Sequence, residues 1–99
     1  MEGASDRITG KNCSVGNPVP CTVKVALGMA SDDAGQVGAP NAARIQALAR
    51  TLMDGGSVSL SEAKRELTAW AKAALGNPAV PERLRTRAGV VAEALHLRV

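Results

Sequence analysis

Residues 59–75 read SLSEAKRELTAWAKAAL, and this stretch decides the fold class. Leu60, Ala63, Leu67, Trp70 and Ala74 recur at alternating spacings of three and four, which places all five on one face of an α-helix. Both ends of the helix are also encoded. Ser59 and Glu62 have the spacing of a capping box, in which side chains satisfy backbone N–H groups that lack a helical partner. Gly76 is expected as a left-handed stop, followed by Asn77-Pro78, where proline cannot continue a helix. Trp70 is the only aromatic residue in the chain and sits mid-face, so this helix is expected to form the centre of the core.

The same period recurs on both sides. Ile45, Leu48, Ala49 and Leu52 share one face of a helix expected over 40–53, opened by Pro40 or Asn41 and closed by Gly55-Gly56. Leu84, Ala88, Val91 and Leu95 form the seam of a third helix, expected from about Pro81 to His96. Gly89 interrupts that helix and predicts a close backbone crossing, since glycine costs about 1 kcal/mol against alanine in a helix interior. Residues 40–99 therefore read as a three-helix domain and the chain as mainly α.

Residues 1–39 read differently. Val23, Val25 and Leu27 alternate with Thr22, Lys24 and Ala26, the period of a half-buried strand. Its local partner would be 8–15, turning through Gly16-Asn17-Pro18 into a β-hairpin; a short helix over 21–30 and an edge strand completed by another molecule are the alternatives. Residues 28–41 carry three glycines, Asp32-Asp33 and Pro40, and read as a Gly-rich linker. The whole is an N-terminal extended arm ahead of the helices.

Composition narrows the function. At 99 residues with 45% apolar and 21% charged residues, the chain suits one small globular domain. No apolar run reaches the roughly 18 residues of a membrane span, and the polar start lacks a signal-peptide core, so a cytoplasmic location without membrane contact is expected. In that compartment Cys13 and Cys21 are expected as free thiols, with a local bridge between them as the alternative if the segment forms a hairpin. No metal or cofactor site is expected: there is no C-x-x-C pair, no phosphate loop and a single histidine near the end of the chain. No nucleophile–base constellation is present either, so an enzyme is not expected.

Two short stretches resemble known patterns. Gly56, Val58 and Glu62 resemble the second half of an EF-hand calcium loop, but the positions that should supply oxygen ligands fall on Thr51, Met53 and Gly55. The turn therefore reads as one helix stopping and the next starting. Ala43-Arg44-Ile45, Leu48, Leu52 and Asp54-Gly55 look like part of the C-terminal helix pattern of flagellar anti-sigma factors. The aromatic residue expected after the glycine is missing, and no family follows from so short a match.

What remains is binding. Abundant alanine with no phenylalanine or tyrosine limits the area a core can bury, so the chain is expected to act on another protein or a second copy of itself. The expected contact residues are Val23 and Val25 on the strand edge, and Val90 and Leu97 off the seam of the third helix. The second reading is a small nucleic-acid-binding regulator. Net charge is +3, residues 41–99 hold nine basic against five acidic residues, and Arg83, Arg85 and Arg87 crowd the first turns of the third helix. Cations oppose the helix dipole there, which is the reason to ask whether they serve nucleic acid instead.

Overall fold

The computed structural model describes residues 7–9 and 19–99. They form, in order, β1 (Arg7–Thr9), α1 (Val19–Val37), α2 (Ala42–Met53), β2 (Ser57–Ser59), α3 (Leu60–Leu75) and α4 (Glu82–Leu95). The protein is mainly α, with four helices among the described residues instead of three.

The last three helices follow the sequence closely. On α2, Ile45, Leu48, Ala49 and Leu52 are the buried residues. On α3, Ala63, Leu67, Trp70 and Ala74 are buried together with Ala71, and the Ser59 side chain accepts a hydrogen bond from the Glu62 N–H at 3.3 Å. Trp70 is the largest side chain with no solvent exposure. On α4, the Leu84, Ala88, Val91 and Leu95 seam faces the core, with Ala92 beside it. Two expectations about glycine fail. Gly76 has φ −89°, so α3 ends in a right-handed turn, and the chain reverses through an Asn77 side-chain bond to the Ala79 N–H at 3.0 Å. Gly89 has open space where a Cβ would stand, so no backbone crosses there. Left-handed stops occur instead at Gly38 (φ 74°) beyond α1, Gly55 (φ 87°) beyond α2 and His96 (φ 56°) at the end of α4.

The N-terminal part departs most from expectation. Residues 19–37 form one helix of 19 residues, so the strand expected over 22–27 and most of the linker expected over 28–41 are helical. Val23, Leu27, Ala30, Ala34 and Val37 are all buried and follow spacings of four and three, the same period as α3. Burying that face outweighs the poor helix propensity of Gly28, Asp32, Asp33 and Gly35, because packing supplies most helical stability in a protein. α1 packs on α2, α3 and α4, and its apolar residues belong to the same core as theirs.

The expected hairpin is replaced by a different pairing. β1 runs antiparallel to β2, with Ile8 opposite Val58, and both side chains are buried. Residues 10–15, the other part of the expected hairpin partner, lie outside the described residues. A two-strand ribbon this short is stable only against other structure. Here Ile8 and Val58 join the helical core.

Candidate functional site

The change from strand to helix reassigns the expected contact residues. In a strand, residues two apart share a face; on a helix they are about 200° apart. Val23 accordingly points into the core with no exposure, while Val25 is 62% exposed. Val23 is thus a core residue and not a contact residue. Val90 is 58% exposed, and Leu97 is partly buried against the core.

Val25 and Val90, 65 positions apart in sequence, are brought to one place. α1 and α4 leave a cleft of about 290 Å³ between them, walled by Val25, Ala26 and Met29 on one side and Val90, Val91 and Ala94 on the other. Cys21 and Thr22, in the first turn of α1, line it as well. Nearly all of this lining is aliphatic, because Val25 and Met29 lie one turn apart on α1 and Val90 and Ala94 one turn apart on α4. Met29 and Ala26 went unsuspected because their segment read as a strand and linker. The helical spacing of Val23, Leu27, Ala30 and Ala34 was the signal that would have found them.

Further along the same pair of helices the lining turns polar. Asp32, Asp33 and Gln36 of α1 face Arg83 and Arg87 of α4. Asp33 is buried, and its carboxylate accepts a hydrogen bond from Arg87 Nε at 2.7 Å. A buried charge persists only when paired, so this contact fixes the register of α1 on α4. It also corrects the reading of Asp33 as a solvated loop residue. Arg85 Nε donates to the Val80 carbonyl at 3.1 Å, tying the start of α4 to the turn before it. Of the three arginines, Arg85 and Arg87 hold the protein's own structure, and Arg83 is exposed without an ion pair among the described residues. The three do not converge into one basic stripe.

A second polar cluster joins α2 to α3. Asn41 Nδ2 donates to the Glu66 carbonyl and to Glu66 Oε1, each at 2.8 Å. Arg44 lies 3.4 Å from Glu66 and 3.7 Å from Glu62, but it is 59% exposed, which limits what those ion pairs contribute.

Cys21 is disulfide-bonded, against the expectation of a free thiol. The only other cysteine in the sequence is Cys13, which lies outside the described residues. A disulfide typically stabilises a fold by about 2–4 kcal/mol, mainly by constraining the unfolded chain. Reduction is therefore expected to lower Tm by about 10 °C, followed by circular dichroism with thiol titration to prove that the bond is open. An unchanged Tm in the reduced protein would contradict this.

Fold and site together define a small helical protein with an apolar interhelical cleft, and among the described residues no group of metal-ligating side chains and no helix long and apolar enough to cross a membrane. The chain matches no protein-family model, no curated protein and no solved structure with which it was compared.

Proposed function

We propose that the protein acts by binding another protein chain through the α1–α4 face, without catalysis. The observation that carries this reading is the convergence of Val25, Met29, Val90 and Ala94 on one cleft, with both valines more than half exposed. Branched aliphatic side chains left in water beside an aliphatic cleft favour association, because covering them removes apolar surface from solvent. Nucleic-acid binding through Arg83, Arg85 and Arg87 has less support, since two of the three already serve Asp33 and Val80. As to location, the disulfide at Cys21 favours an oxidising compartment over the cytoplasm, because thiols in the cytoplasm are kept reduced.

The test is position-specific photo-cross-linking in an extract of the source cells. A photoreactive residue at Val25 or Val90 is expected to give an adduct of discrete mass that resists nuclease. The same residue at Met53, which is 82% exposed but away from the cleft, is expected to give none. Equal labelling at all three positions, or adducts that nuclease removes, would overturn the reading.

A further inference from the structure

The outward side of α1 carries features that the protomer's own packing does not explain. Gly28 lies in the middle of the helix, where glycine is disfavoured against alanine. Its backbone is not left-handed, and a Cβ built on it would meet nothing within 4 Å, so this fold would accept a side chain there. Lys24 and Asp32 stand four residues before and four residues after it, both exposed. Neither forms an ion pair with another described residue, although Asp32 borders the cleft that holds Arg83. They are about 12 Å apart along the helix axis, too far to pair with each other.

This arrangement is self-complementary in one orientation only. When a second α1 lies antiparallel across a two-fold axis at Gly28, each residue before the axis faces the residue equally far beyond it. Lys24 then opposes Asp32 of the second copy, and Asp32 opposes its Lys24, so one sequence yields two ion pairs. A parallel arrangement would set lysine against lysine and aspartate against aspartate. Val25 faces Ser31 of the second copy and loses exposure along the edge of the apolar cleft. Glycine at the crossing point lets the two backbones approach closely, which accounts for a residue the single chain does not need.

We propose that the partner is a second copy of this chain, docked through the outward side of α1 about a two-fold axis at Gly28 and covering Val25 at the edge of the α1–α4 cleft. This deepens the binding reading above and rests on it.

The experiment is light scattering with molar mass over a concentration series at low salt, on the oxidised full chain and five variants. The unaltered protein is expected to be a dimer. Lys24→Asp and Asp32→Lys are each expected to weaken dimerisation about 10-fold or more, because each change replaces two attractions with two repulsions. The double variant carrying both changes is expected to recover the original affinity. Gly28→Cys is expected to form a covalent dimer under mild oxidation, whereas Gln36→Cys, about 24 Å from its counterpart across the axis, is not. Unchanged melting curves for the two charge variants at concentrations where they are monomers would show that the fold is intact. A protein monomeric at every concentration, or a dimer indifferent to both charge changes, would overturn the proposal. Adducts of another mass at Val25 and Val90 would then leave the broader binding reading standing, while position-independent adducts would remove both.

Discussion

Trp70→Ala is expected to lower the free energy of unfolding by about 3–5 kcal/mol, the range for emptying a large aromatic site in a core. Among the described residues, ten of the 24 buried apolar side chains are alanines, and Trp70 is the largest that is fully buried. For a domain of this size the total is about 5–15 kcal/mol, so the variant loses a large share of its stability. Trp70→Phe is expected to cost far less, about 1 kcal/mol, and for a specific reason. The buried indole Nε1 has no hydrogen-bond partner among the described residues, so phenylalanine gives up apolar contact but no bond. Urea unfolding followed by far-ultraviolet circular dichroism measures both. A Phe variant as damaged as the Ala variant would mean that the indole N–H does have an acceptor.

The second large effect concerns the pair that sets α1 on α4. Arg87→Ala leaves the Asp33 carboxylate buried without its partner and is expected to cost about 2–3 kcal/mol. Asp33→Ala leaves Arg87 behind, but that side chain is already 39% exposed and can turn into water. Its cost is therefore expected to be smaller, about 1 kcal/mol. The asymmetry is the informative part. Equal losses would indicate that the carboxylate reaches solvent once the arginine is gone.

Three of the four helices were legible because their apolar spacing admits only one period. Leu60 through Ala74 cannot alternate as a strand, and Ser59, Gly55 and Pro81 mark boundaries that the structure respects to within a residue or two. α1 was ambiguous because Val23 and Leu27, four apart, fit both periods, and Val25 between them completes a strand pattern over a short window. Extending the window to Ala30, Ala34 and Val37 favours the helix, but Gly28, Asp32, Asp33 and Gly35 argue for a loop on local propensity. Only a core to pack against resolves that conflict, and a core is not a local property.

The same limit governs the site. Val25 and Val90 were recognisable as apolar positions lacking a core role, the first for a reason that proved wrong. That they share a cleft depends on α1 lying against α4. The Asp33–Arg87 contact spans 54 positions, and nothing near either residue announces the other. The pairing of Ile8 with Val58 is equally nonlocal, and a nearer strand partner was expected in its place.

Binding through the outward face of α1 beside α4 is the proposal on which the rest depends. Its most direct test is the yield of photo-cross-linked adduct from position 90 in a Val25→Asp background, read beside the melting temperature. Val25 is exposed, so the aspartate should leave Tm within a few degrees of the original, as is usual for surface substitutions. The account predicts that the adduct is lost while the fold is kept. An undiminished adduct at an unchanged Tm would place the binding surface elsewhere.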